Sequence, residues 1–398
     1  MKFPDVEFDP FFTWVNRPRI MYSPGLRSEV GYELNELGGK KVVVFTDKGI
    51  VDAGVAQMVI DEIEKSDLEL VGVFDGIVQD ARIDIINKGT EYYRKVGADS
   101  MVVVGGGSVM DTSKAINIMV GEGHDDFKPL ADQAGLYDTA KRLPPHIAFP
   151  TTAGTGSEVT SAMVVLDVEE HLKLSVAHPY CNCDIAMLDP ELMVKLPPKI
   201  TAFTGMDAMT HAIEGMTATS QEPIADALCI HAIKLIVKYL PIAVKEPENV
   251  DARGYMLIAS TLAGMGFGNS MTGGVHATAH ALGGVYGIPH GMANGIMLPL
   301  LMEFNAEEAP EKFLLIADAM NIDCSKIDPK EAGVLAAGVV RRLKKECGLT
   351  ETLKDFDVPD NAEDLQQLVE IASGDSQAGY NPRYLEEEDI IKLYLEAM

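Results

Sequence analysis

Two short stretches of the chain concentrate side chains able to hold a metal ion. In GMDAMTHAIE, Asp207 and His211 stand four residues apart in a pattern that reads as helix, so both project from one face. Further along, GGVHATAHALGGVYGIPHGMAN carries His276, His280 and His290 in a glycine-rich, helical setting. Four of the nine histidines thus fall in or beside these stretches. Imidazole nitrogen and carboxylate oxygen together suit divalent iron or zinc. Taken alone, an Asp/His pair at this spacing is more often a helix-surface contact than a ligand pair. Three clustered histidines in an apolar setting are harder to explain without a metal, because an unpaired imidazole is costly to bury. The remaining histidines, at 124, 146, 171, 178 and 231, are scattered and read as structural or surface residues.

Anion binding is the second chemistry the residues offer. Val102-Val103-Val104-Gly105-Gly106-Gly107-Ser108 leaves a strand and enters a helix carrying Lys114 and Asp111, the latter a candidate cofactor-binding residue. Glycines there let main-chain N–H groups approach a phosphate, and the helix N-terminus adds partial positive charge. This is not the G-x-G-x-x-G fingerprint, so a tight turn without a ligand stays open as the alternative. The loop from Thr151 and Thr152 to Glu158, PTTAGTGSE with its proline, follows another apolar run, where ligands of open α/β sheets bind. By itself it could equally be a polar loop capping a helix. Asp47 closes the first strand in FTDKG, where a carboxylate can bond ribose hydroxyls and repel a 2′-phosphate. An ordinary turn aspartate explains it as well.

These groups need elements to position them. Short apolar runs at 41–46, 68–74 and 100–104 alternate with amphipathic stretches at 52–65 and 83–96, the pattern of a parallel sheet wrapped by helices. A further strand is expected at 147–149 and a hairpin at 161–178. From Pro198 onward the texture turns helical, at 201–217, 222–240, 251–266 and 329–346. The expected organisation is an α/β domain with a parallel, Rossmann-like sheet over 1–192, then an all-α domain over 193–398.

Composition narrows the partners. The chain has 398 residues, more than one core usually fills, and a formal charge of −27 that repels nucleic-acid phosphates and anionic membranes. Its five cysteines form no C-x-x-C pair, which fits small core residues in a reduced compartment. The N-terminal MKFPDVEFDPFF lacks the basic start and apolar run of a signal peptide. No stretch of sequence approaches the roughly 18 apolar residues of a membrane span. A soluble, cytoplasmic protein is expected, with no nucleic-acid or membrane partner.

Four motifs, GGGSVMD at 105–111, PTTAGTGSE at 150–158, GMDAMTHAIE at 205–214 and HATAHALGGVYGIPHG at 276–291, carry a resemblance. In this order, and with similarity from about Phe12 to the C-terminus, the chain resembles the iron-containing, group III alcohol dehydrogenases. The resemblance implies that the α/β domain over 1–192 binds the dinucleotide and the all-α domain over 193–398 holds the metal and the catalytic site, with the active site in the cleft between them. It implies Asp207, His211, His276 and His290 as metal ligands, and His280 in the substrate pocket, helping to relay the proton. On the nucleotide side it implies Gly106, Gly107 and Ser108 at the pyrophosphate, Thr151, Thr152 and Thr160 along the cofactor, and Lys173 near a ribose. Asp47 matches the position whose acid favours NAD over NADP. The chain departs from the family at Gln79-Asp80, where many members carry Pro-Asn, and at Asp184, where proline is common.

The implied activity is reversible hydride transfer between a primary alcohol or diol and NAD, yielding the aldehyde and NADH. Iron (Fe2+) is expected as the metal, with zinc (Zn2+) next, because ligand type permits both. A homodimer or larger homo-oligomer is expected. Two competing readings are a dehydroquinate-synthase-like lyase or polyol dehydrogenase of the same superfamily, and a non-enzymatic nucleotide- or metal-binding protein.

Overall fold

Runs such as Val42-Val43-Val44 and Val102-Val103-Val104 present no polar face to water, and all six residues are fully buried in the centre of a parallel sheet. The computed structural model of the chain describes residues 11–15, 17–132, 142–170 and 172–398. His171 and the first ten residues, part of the segment read against a signal peptide, lie outside the described residues. Contacts divide the chain into two units. Residues 17–152 with Gly156–Leu196 form an α/β unit, and Pro197–Met398 with Ala153–Thr155 and residues 11–15 form a helical one.

In the α/β unit the strands are β1 (Arg19–Tyr22), β2 (Lys41–Asp47), β3 (Glu69–Ile77), β4 (Ala81–Arg82), β5 (Ser100–Gly105), β6 (His146–Pro150), β7 (Ala162–Asp167), β8 (Leu172–Ala177) and β9 (Ile185–Leu188). Six of them form one sheet in the order β1-β9-β6-β5-β2-β3, every pair parallel. Its helices are α1 (Val30–Glu36), α2 (Lys48–Asp52), α3 (Val55–Glu64), α4 (Ile83–Val96), α5 (Gly107–Glu122) and α6 (Lys128–Ala131). One sheet face, with Val42, Val44, Val102, Val104, Ile147 and Phe149, buries against Leu34, Val55, Val59 and Ile63 of α1 and α3. Each such side chain contributes about 1.5–3 kcal/mol on burial. The expected hairpin is present: β7 and β8 pair antiparallel from Ala162↔Ala177 to Asp167↔Leu172, and β4 adds a parallel edge.

From β2 the chain moves to β3 on one side and then returns to β5 on the other. The carboxyl ends of β2 and β5 therefore flank the switch point of the sheet, the place where open α/β sheets bind ligands.

The helical unit comprises α7 (Pro198–Thr217), α8 (Pro223–Lys245), α9 (Val250–Ser270), α10 (Gly274–Tyr286), α11 (His290–Asn305), α12 (Pro310–Ala319), α13 (Pro329–Glu346), α14 (Gln366–Gly374) and α15 (Glu387–Glu396). Proline opens α7, α8, α12 and α13 within the first turn, where its missing N–H costs nothing. The expectation that no segment approaches a membrane span needs correction, because α8 is long and apolar enough, with a mean hydropathy of 1.8. Among the described residues a third of that apolar window is buried, where α8 packs against α7 and α9, and its Asp226 pairs with Lys312 at 2.5 Å. All five cysteines are free, four of them buried and Cys324 partly so.

Candidate metal centre and nucleotide-binding turn

Helix α7 carries Asp207, His211 and Glu214 at intervals of four and three residues, so all three share one side, and all are buried. Helix α10 carries His276 and His280 at the same four-residue spacing, and α11 begins at His290 with Asn294 one turn later. Gly291 makes the approach of α11 to α7 possible. A Cβ there would stand 2.4 Å from the Phe203 carbonyl oxygen and 3.2 Å from Asp207 Cβ.

The side chains converge. Asp207, His276 and His290 each offer an atom to a group in which all lie within 4.8 Å of one another. His211 Nε2 is 3.0 Å from His276 Nε2. The far side of each ring is already engaged: His211 Nδ1 donates to the Gly154 carbonyl at 3.2 Å, and His276 Nδ1 to Glu214 Oε2 at 2.5 Å. In the neutral imidazoles those bonds leave both Nε2 atoms as lone-pair nitrogens facing each other. Asn294 Nδ2 donates into the same space, 2.7 Å from Asp207 Oδ1 and 3.1 Å from His290 Nε2. A carboxylate and imidazole lone pairs aimed at one point form a donor set suited to a divalent cation.

Burial decides the protonation of this group. It holds His211 and His276 down to about 4, with each assisted by a neighbouring histidine and opposed by Asp207. Both rings are therefore neutral at pH 7, the form that ligates a metal. Burial pushes Glu214 up to about 7, against the downward pull of the Val275 and Gly273 amides.

Four further participants lie outside the expected set. Glu214 stands in the motif already singled out and fixes His276, while its Oε1 accepts the Val275 N–H at 2.7 Å. Asn294 sits one helical turn beyond His290, a spacing that was readable. Asp375 bonds His280 at 2.7 Å and Phe267 stacks on His211 at 4.1 Å, and no local pattern announces either.

On the α/β unit, Gly106 joins β5 to α5, and a Cβ on it would meet Thr152 Oγ1 at 3.1 Å. Gly107 and Ser108 open α5, leaving first-turn N–H groups and the positive end of the helix dipole at the switch point. Thr151 N–H donates to the Gly105 carbonyl at 3.0 Å, and its buried hydroxyl has no hydrogen-bond partner. Ser108 Oγ accepts the Asp80 N–H at 3.1 Å, and Asp80 pairs with Lys173 at 2.9 Å. Asp47 ends β2 and caps α2, accepting the Ile50 N–H at 2.9 Å.

Asp111 and Thr160 belong to a separate cluster. Asp111 Oδ1 accepts from Ser157 Oγ at 2.5 Å and Oδ2 from the Val164 N–H at 3.0 Å. The buried Lys114 ammonium bonds Thr160 Oγ1 at 3.1 Å and the Ala162 carbonyl at 2.7 Å. Both Asp111 oxygens are thus engaged with the protein.

Comparisons with known proteins agree with this layout. Residues 17–190 match the family described as iron-containing alcohol dehydrogenase, and residues 201–398 match the C-terminal region of the Fe-containing alcohol dehydrogenase family. The chain is 36% identical to the 1,3-propanediol dehydrogenase of Citrobacter freundii over 378 residues, 94% of this chain and 96% of that one. It is 34% identical to the NAD-dependent methanol dehydrogenase of Bacillus methanolicus, covering 96% and 98%. A crystal structure of 1,3-propanediol oxidoreductase superposes with a TM-score of 0.91 at 34% identity, covering 98% of this chain and all 100% of the other. The lyase and non-enzymatic readings gain nothing from these relatives, which are oxidoreductases. On its motifs, fold and relatives, the chain belongs to the iron-containing alcohol dehydrogenase family of oxidoreductases.

Proposed function

We propose that this chain interconverts a primary alcohol or diol and its aldehyde, with NAD as hydride acceptor and NADH as donor. The observation that carries the reading is the facing pair of His211 and His276 lone-pair nitrogens, 3.0 Å apart and joined by Asp207 and His290. Asp207, His211, His276 and His290 are the ligands in this reading, for iron(II) first and zinc second. Held by these residues, a divalent cation would supply a positive charge that lowers the pKa of an alcohol hydroxyl and polarises an aldehyde carbonyl, and a bound nicotinamide would supply the hydride acceptor or donor.

The protein's own groups do the rest. Glu214 and the Gly154 carbonyl hold two imidazoles in the tautomer that presents Nε2. His280 lies against the His276 and His290 rings, at 5.8 and 5.3 Å between centroids, and faces the substrate in this reading. Residues 1–192 take the nucleotide and 193–398 the metal. The amides of Gly106, Gly107 and Ser108 receive the pyrophosphate. Thr151, Thr152 and Lys173 line the cofactor, and Asp47 bonds the ribose and excludes a 2′-phosphate. Asp111 and Thr160 complete the cofactor-binding set in this reading, and their side chains also bond Ser157, Lys114 and the Val164 N–H. Five free cysteines fit a reduced, cytoplasmic setting, and a homodimer is the expected assembly.

The test is metal analysis of anaerobically purified protein, paired with NADH formation on a panel of primary alcohols and diols before and after chelation. Near-stoichiometric iron or zinc with chelator-sensitive turnover is expected. His276→Ala loses both metal and activity, and a variant that kept full metal content and full rate would sink the assignment.

A further inference from the structure

Asp375 lies 95 residues from His280 in sequence, at the start of the short turn Ser376–Tyr380, yet its Oδ2 accepts the His280 Nδ1–H at 2.7 Å. Its other oxygen, Oδ1, caps that turn by accepting the Gln377 N–H at 2.8 Å. The turn is anchored in its own right, because Gln377 Oε1 accepts the Thr272 hydroxyl at 2.8 Å. Both partners are nearly enclosed, the His280 side chain 7% exposed and that of Asp375 13%.

This arrangement fixes two properties of His280. With Nδ1–H committed to a carboxylate, Nε2 is the nitrogen that keeps its lone pair. The ring plane is fixed as well, 20° from that of His290 and 76° from that of His276. We propose that Asp375 is a positioning residue of the reaction, setting the tautomer and ring plane of His280 so that Nε2 accepts a hydrogen bond from the substrate hydroxyl. The proposal rests on His280 facing the substrate, as read above, and Asp375 itself touches no reacting atom.

Asp375→Asn isolates the effect. The asparagine oxygen keeps the cap on Gln377, so the amide NH2 must face Nδ1, and the imidazole proton moves to Nε2. The wrong nitrogen then meets the substrate while the shape of the site is kept.

The experiment combines Asp375→Asn, His280→Ala and the double variant, each metal-loaded, with kcat and KM measured on an alcohol that the wild type oxidises. Either single change is expected to lower kcat/KM by roughly 100-fold, the range of a lost acid–base or hydrogen-bonding group. The double variant is expected to match His280→Ala alone, because Asp375 acts through that ring. In zinc-loaded wild type, a downfield, exchange-protected imidazole proton is expected in the NMR spectrum, absent from both single variants. A loss from Asp375→Asn that persists in the His280→Ala background marks a merely structural role and overturns the proposal. Asp375→Asn at the wild-type rate, beside an impaired His280→Ala, overturns it while leaving the His280 reading intact. His280→Ala at the wild-type rate overturns both.

Discussion

Replacing Glu214 with glutamine tests the metal centre without touching a proposed ligand. Oε2 of Glu214 accepts the His276 Nδ1–H at 2.5 Å, while Oε1 is held by the Val275 N–H at 2.7 Å. A glutamine can keep its oxygen on the backbone donor only by turning its NH2 toward Nδ1. Two donors then face each other, and His276 escapes by moving its proton to Nε2, the nitrogen assigned to the metal. Metal binding must reverse that choice without the charge-assisted hydrogen bond that ionised Glu214 supplies above pH 7, worth about 1.5–3 kcal/mol. At about 1.4 kcal/mol per tenfold, metal affinity falls roughly 10- to 100-fold. Anaerobic competition against a chromogenic chelator measures it directly with Fe2+ and Zn2+, and urea unfolding of the metal-free forms controls for stability. Wild-type affinity in a folded Glu214→Gln protein would show that the carboxylate does not orient His276, and the tautomer argument would fall with it.

Three further outcomes are expected. Asp47→Ser keeps a cap for the Ile50 N–H but removes the charge at the end of β2, so the ratio of kcat/KM for NADP over NAD rises at least about tenfold; an unchanged ratio removes Asp47 from cofactor choice. Gly291→Ala sets a methyl 2.4 Å from the Phe203 carbonyl oxygen, a backbone atom that cannot swing aside, so urea unfolding should report a loss of about 1–3 kcal/mol. His146 is buried in β6 and held down to about 3 by burial and by Lys114, against an ordinary 6.5. Its neutral form is the folded one, so its contribution is complete above pH 6.5 and is lost as pH falls toward 3, by about 1.4 kcal/mol per pH unit. Stability measured at pH 7 and pH 5 should fall by about 2 kcal/mol less in His146→Leu than in the wild type, and equal losses would refute the assignment.

What the sequence discloses follows from how local each signal is. The valine runs of β2 and β5 and the periodicity of α4 and α13 were readable because burial imposes a pattern within a few residues. The four-residue strands β1 and β9 were not, since so short a run carries no period and gains its place only by pairing with distant strands. Asp207 and His211 announce themselves by helical spacing. Glu214 is spaced just as well but is ambiguous until His276 is seen beside it. Asp375 is silent, because its meaning depends wholly on a ring 95 residues away. The cofactor side carries another ambiguity: Asp111 stands on the helix after the glycine turn, and its oxygens also accept from Ser157 and Val164, bonds that no local pattern announces. The apolar content of α8 is likewise only partly accounted for by its packing between neighbours, and composition cannot distinguish such a helix from a span.

His211 and His276 are 65 residues apart, and the chain between them builds α8 and α9. A cation gripped by both would close that stretch into a loop, as a disulfide closes one, and would tie α7, α10 and α11 at a single point. Holding the ion at a hundred times its dissociation constant would add about 2.7 kcal/mol to the folded state. Chain opening, and with it exposure to proteases, would then follow metal supply. A cell short of metal would lose this protein by turnover as well as by inactivity, and its abundance would record the metal status of the compartment that holds it.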